Sequence, residues 1–191
     1  MQAARGASLN PSGDAVDEAG DHPNPRPTRV RLFIVTALCA YTVDVLSKVV
    51  VVATLTDHQP VTVIPGVLSL DLLRNGGAAF SVGTGLTLFL TLVAICVVIA
   101  VIRMSSRLRD TGWALAFGFL LAGAMGNLTD RVFRAPGPLR GHVVDFLQLP
   151  HWPVFNVADT CICIAAVLVA VQSLRGIGLD GSRVRDDRTQ Q

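Results

Sequence analysis

The chain has 191 residues, 51% of them hydrophobic and 16% charged, and a formal net charge of +2. A mean hydropathy of +0.52 is too high for a soluble domain of this length, while the charged ends are too polar for a bilayer, which leaves one membrane domain with polar tails. The small net charge, with bases not clustered among aromatics, excludes nucleic acid as a partner.

Residues 1–31 contain four acids, four arginines and four prolines without an apolar period, and predict a disordered tail. Four long apolar stretches follow, at about 32–55, 86–102, 113–129 and 155–174, and residues 175–191 read as a second disordered tail. At 1.5 Å per residue the stretches reach about 25–36 Å, enough to cross a hydrocarbon core of roughly 30 Å. The predicted fold is an all-α integral membrane protein, with a four-helix domain over 32–174. Between the first two helices, Val61, Thr62, Val63 and Ile64 form a β-branched run broken by Pro60, Pro65 and Gly66, which predicts short strands on the outer membrane surface.

Orientation follows from bases in the short flanks. Arg26, Arg29 and Arg31 precede the first helix, Arg103, Arg107 and Arg109 fill the link between the second and third, and Arg175 follows the fourth. Both termini are therefore predicted to be cytoplasmic. The opposing segments carry Arg74 in one, and Arg131, Arg134 and Arg140 in the other.

Cys39, Cys96, Cys161 and Cys163 all fall inside apolar runs, without CxxC spacing or a neighbouring histidine, and read as small hydrophobes. The polar leader of some thirty residues is too long for the charged region of a signal peptide, so the first apolar run is expected to be retained.

Acidic residues inside apolar runs are costly, roughly 2.5–3.5 kcal/mol on insertion scales, and mark function by default. Traced through alternating helix directions, Asp44 and Lys48 in the first helix, Asn127 and Asp130 at the end of the third, and Asn156 and Asp159 at the start of the fourth all reach the outer leaflet. Asp145, placed in a loop before the fourth helix, and Asn75, before the second, join them. Asp44 and Lys48 are spaced i,i+4 and can pair. Asn127 and Asp130, and Asn156 and Asp159, are each spaced i,i+3 on one face. The motifs GxSxG, HExxH and CxxC and the P-loop are missing, and His22, His58, His142 and His151 lie in tails or loops. That leaves carboxylates, and two close carboxylates can serve as base and acid at once, activating water with neither metal nor cofactor.

The strings DVLSK (44–48), NGGAAFSVG (75–83), GNLTDR (126–131), HVVDF (142–146) and FNVADT (155–160) resemble, in order and spacing, the blocks of the lipoprotein signal peptidases, or signal peptidase II. The resemblance spans about 40–174. It implies an aspartyl endopeptidase that cleaves diacylglyceryl-modified prolipoproteins immediately before the lipidated cysteine, in a bacterial membrane, with its site on the extracytoplasmic side and membrane lipid around it. It makes Asp145 and Asp159 the catalytic pair, with Asp130 as the rival member. Asn75, Asn127 and Asn156 would orient substrate or pair, Asp44 and Lys48 would support them, and Asp130 and Arg131 would brace the site as an ion pair. Gly76, Gly77, Ala78 and Ala79 would admit a close backbone. A monomer and no cofactor are expected. Two features depart from the pattern: a link of only fourteen residues from Asp145 to Asp159, and NGG where a hydroxyl residue is more usual after the asparagine. The alternative reading is a proton-coupled transporter or channel subunit, disfavoured because the inner halves of the last three helices look almost wholly apolar.

Overall fold

A computed structural model describes residues 27–77 and 85–183 of the chain. Ala78 and Ala79, most of the first tail and the last eight residues of the second lie outside the described residues. The described chain runs α1 (Val30–Leu55), β1 (Val61–Ile64), β2 (Leu68–Asn75), α2 (Gly85–Ser105), α3 (Thr111–Phe133), β3 (Val143–Gln148) and α4 (Val157–Leu174). All four helices are long and apolar enough to cross a membrane.

The burial pattern is that of a protein solvated by hydrocarbon. Ile34, Val35, Leu38, Leu46 and Val50 of α1 and Phe89 and Leu92 of α2 point outward, whereas Asp44, Lys48, Asp130 and Asn156 are buried. Apolar side chains facing lipid cost nothing, while charged ones must face the bundle interior. Helix association then relies on close packing of small residues rather than on the hydrophobic effect.

The third helix is the hub and packs against each of the other three. Its small residues make that possible. Gly118 faces Thr36 and the Phe33 carbonyl of α1, and Gly123 faces the Ala158 carbonyl and Ile162 of α4. A Cβ at Gly126 would occupy the place of the Asp44 carboxylate and press on Ala158. One apolar cluster, with Phe33, Val101, Leu108, Ala114, Ala116 and Phe117, closes the arginine-rich end of the bundle. A second, with Val51, Leu55, Val144 and Phe146, joins the other end of α1 to the sheet. Along α1 the buried Asp44 and Lys48 lie between these two clusters.

The strands form one antiparallel sheet in the order β1-β2-β3. Two of them fulfil the sequence reading of 56–85; the third corrects it. Asp145 does not hang in a loop but lies in β3, registered against Leu73 of β2. The VVDFLQ run is too short to separate from a loop or buried coil by periodicity alone, and its partner is some seventy residues away in the chain. The second correction concerns the C-terminal tail, whose first part is folded. The Trp113 indole donates to the Ile177 carbonyl at 2.7 Å, and the Arg109 N–H to the Leu179 carbonyl at 2.9 Å. Residues 175–183 thereby close the arginine-rich end of the bundle.

Candidate active site

Antiparallel pairing and an N-cap bring the two proposed carboxylates together. Asn75 and Asp145 lie on the same face of the β2–β3 ladder, since Leu73 opposes Asp145 and Asn75 opposes Val143. The Asn75 Nδ2 donates to Asp145 Oδ2 at 2.9 Å. After β3 the chain turns at once and Phe155 pairs back on Leu147, its N–H donating to the Leu147 carbonyl at 3.0 Å. This return explains how fourteen residues suffice between Asp145 and Asp159: Asn156 emerges directly beside Asp145.

Asn156 is then the N-cap of α4. Its Oδ1 accepts from the Asp159 N–H at 2.9 Å, and Asp159 Oδ2 accepts from the Asn156 N–H at 3.2 Å, a reciprocal capping box. The cap sets the Asp159 carboxylate at the start of the helix. The same Asn156 sends its Nδ2 to Asp145 Oδ1 at 2.6 Å and to Asn127 Oδ1 at 3.2 Å. One fully buried asparagine therefore holds both carboxylates, one by its side chain and the other by its backbone.

Asn127 links this pair to the buried charges. Its Oδ1 also accepts from Lys48 Nζ at 3.3 Å, and its Nδ2 donates to Asp159 Oδ1 at 2.8 Å. The orientation of the amide is dictated chemically, because the ammonium can only donate and the carboxylate accepts. Lys48 Nζ lies 2.9 Å from both Asp44 Oδ2 and Asp130 Oδ2. Asp44 Oδ1 in turn accepts from the Ala158 N–H at 2.8 Å, satisfying a second donor at the start of α4. The i,i+4 pairing of Asp44 with Lys48 expected from the sequence is present, and it includes Asp130 as a third member.

The expected Asp130–Arg131 ion pair is not formed. Asp130 Oδ1 instead meets Arg134 Nε, and its Oδ2 accepts from the Val144 N–H at 3.2 Å. Adjacent residues on a helix point in different directions, whereas i and i+4 share a face. Arg134, not Arg131, joins Lys48 in neutralising Asp130, and the i+4 spacing was the signal for it. Arg131 is buried, its Nη1 has no hydrogen-bond partner, and its charge interacts with Asp145 and Asp159.

Two threonines of α2 that the sequence reading did not single out bond to neighbouring backbone. The Thr87 hydroxyl donates to the Gly76 carbonyl, and the Thr91 hydroxyl to the Leu139 carbonyl at 2.9 Å. Neither threonine stands out in an apolar helix, where hydroxyls commonly bond back to their own backbone. Gly77, whose N–H donates to Asn75 Oδ1 at 2.8 Å, has φ +102°, a conformation reserved for glycine. Gly76 faces the His142 ring, and a Cβ there would approach Nε2 to 3.2 Å, so the extra glycine of NGG matches a histidine just before the facing strand.

Asp145 is 2% exposed. Burial pushes its carboxyl up to about 6, opposed by the Asn75 hydrogen bond, reinforced by the Asp159 charge, and opposed again by Asn156 and Lys48. An acid that keeps its proton up to about pH 6, beside a second carboxylate held by two N–H donors, can supply general acid and general base together. Among the described residues no three His, Cys, Asp or Glu side chains converge as metal ligands would.

Fold and site together define a multi-pass membrane protein whose helices and sheet meet around two carboxylates, the buried Asp145 and the half-buried Asp159. The family model described as signal peptidase (SPase) II matches residues 36–175, and the chain belongs to that family of membrane proteases of the aspartyl type. The lipoprotein signal peptidase of Rhodococcus jostii is 47% identical over 178 residues, covering 89% of each chain. That of Mycobacterium tuberculosis is 46% identical over 179 residues, again covering 89% of each. A bacterial membrane enzyme solved by the in meso method at 2.3 Å superposes with a TM-score of 0.71 at 26% identity, over 86% of this chain and 98% of its own. The transporter alternative finds no support in these comparisons.

Proposed function

We propose that this chain removes signal peptides from diacylglyceryl-modified prolipoproteins, cutting before the lipidated cysteine, with Asp145 and Asp159 as its catalytic pair. The observation that carries the reading is Asn156, which holds Asp145 through Nδ2 and Asp159 through its backbone N–H. Asp159, in the first turn of α4, takes a proton from water as the water oxygen attacks the scissile carbonyl carbon. Asp145 donates its proton to the carbonyl oxygen. The resulting diol collapses, the C–N bond breaks, and the amine leaves with a proton returned from the pair.

The remaining residues support this step. Asn75 and Asn127 hold one carboxylate each, Asp44 and Lys48 fasten α1 to the start of α4, and Asp130 is consumed by Lys48, Arg134 and the Val144 N–H. Paired with two cations, where Asp145 and Asp159 are held by neutral donors, Asp130 is a brace rather than a base. Arg131, buried with an unpartnered Nη1, is proposed to donate to a substrate carbonyl. The pair lies at the end of the bundle opposite the arginine-rich flanks, which supports a site on the extracytoplasmic side of a bacterial cell membrane. A monomer is the proposed acting form.

The test is hydrolysis of a synthetic precursor by detergent-purified protein alone. A diacylglyceryl-modified precursor should be cut before its cysteine and the unmodified peptide left whole. Folded protein that cuts neither, or both at the same rate, overturns the assignment.

A further inference from the structure

Beside the active site, an open cavity of about 400 Å³ is lined by Arg74, Arg134, Ala135, Pro136 and His142. None of the proposed chemistry uses it. Its polar groups are all basic. The Arg134 Nε is tied to Asp130, which fixes the direction of a guanidinium whose fork geometry matches phosphate oxygens. Arg74 forms no ion pair with a carboxylate among the described residues, although Asp57 and Asp71 line a smaller cavity on its other side. Ala135 and Pro136 add an apolar wall.

Depth identifies the occupant. Arg134 is the C-cap of α3, a helix long and apolar enough to cross the membrane, and the residue before it, Phe133, is 82% exposed. A large aromatic left outside at the end of such a helix marks the edge of the hydrocarbon, and the next residues stand at headgroup level. We propose that this cavity holds the phosphate of an anionic membrane phospholipid, with Arg74 and Arg134 meeting its oxygens, His142 closing the third side, and Ala135 and Pro136 against the glycerol backbone. The lipid would brace the end of β2, where Arg74 immediately precedes Asn75, and His142 packs on Gly76.

Delipidated full-length protein in detergent would be melted alone, with phosphatidylglycerol, with the same mole fraction of phosphatidylcholine, and with inorganic phosphate. Phosphatidylglycerol should raise Tm by about 3 °C more than phosphatidylcholine does. The double variant Arg74→Gln/His142→Gln should lose most of that difference while melting like the native chain in detergent alone. Equal stabilisation by the two lipids overturns the proposal, and so does an equal rise with inorganic phosphate, which would make the cavity a free-anion site. Should the variant fail to fold, native mass spectrometry of the unaltered protein from a mixture of the two lipids decides: preferential retention of phosphatidylglycerol supports the site, and equal retention refutes it. No substrate enters these measurements, so their outcome is independent of the peptidase assignment.

Discussion

Asp145 and Asp159 carry different burdens because their surroundings differ. Asn keeps the volume of either side chain and cannot move a proton, so Asp145→Asn and Asp159→Asn should each lower turnover on the order of a thousandfold or more with folding retained. Near-native turnover by either variant, measured on the lipidated precursor, removes that residue from the pair. The raised position of Asp145 has a consequence with a definite sign. A carboxyl whose folded value lies above its ordinary one stabilises the fold most below about 4, and that stability is lost as pH rises through about 6. The Tm of the native chain should therefore fall between about pH 4 and 6, and Asp145→Asn should flatten this fall. Activity that needs the Asp145 proton should decline as pH rises through about 6. Asn75 donates to the ionised form, so Asn75→Ala should move the declining limb to higher pH by roughly one pH unit, the worth of one hydrogen bond to a charged group. A limb that moves down, or not at all, contradicts the role given to Asn75.

At the scale of elements, the site depends on how closely three helices approach. Gly126 leaves room for Asp44, and Asp44 in turn caps α4 through the Ala158 N–H. Gly126→Ala should force α1 and α4 away from α3, costing about 1–3 kcal/mol as other overpacked contacts do, and should lower Tm and activity together. Activity lost at full stability would show that Gly126 acts on the substrate instead. Asp130 belongs to the same scale. Removing its charge leaves Lys48 with one fewer partner in a buried network, a loss of roughly 3–5 kcal/mol when such a pair is broken. Asp130→Asn should therefore melt several degrees lower, in contrast to Asp145→Asn and Asp159→Asn.

For the whole molecule, the asymmetry of charge between the two ends of the bundle predicts which end faces the cytoplasm. His58 follows α1 at the sheet end and Ser106 follows α2 at the arginine-rich end, and both are exposed. In a chain with Cys39, Cys96, Cys161 and Cys163 replaced by alanine, His58→Cys should react with a membrane-impermeant thiol reagent added outside intact cells. Ser106→Cys should react only after the inner face is opened. The reverse pattern would put the carboxylate pair in the cytoplasm and exclude a role on exported substrates.

Much of this protein follows from the sequence alone, because membrane burial writes itself into composition: long apolar runs, arginine-biased flanks, and polar groups aligned by depth. The Asp44–Lys48 pair was legible too, since i,i+4 geometry is local. Three features were decided only by the tertiary structure. Asp145 lies in a strand whose register is set by a partner seventy residues away, and no local period announces it. Asp130 gains Lys48 as a countercharge because a neighbouring helix places it there, whereas its i,i+4 partner Arg134 was open to a local reading. Asn156 joins both carboxylates because a capping box, a sheet edge and α3 meet at one point. Such convergence is a property of packing: each residue's type is readable by itself, whereas its partners depend on where distant elements come to rest.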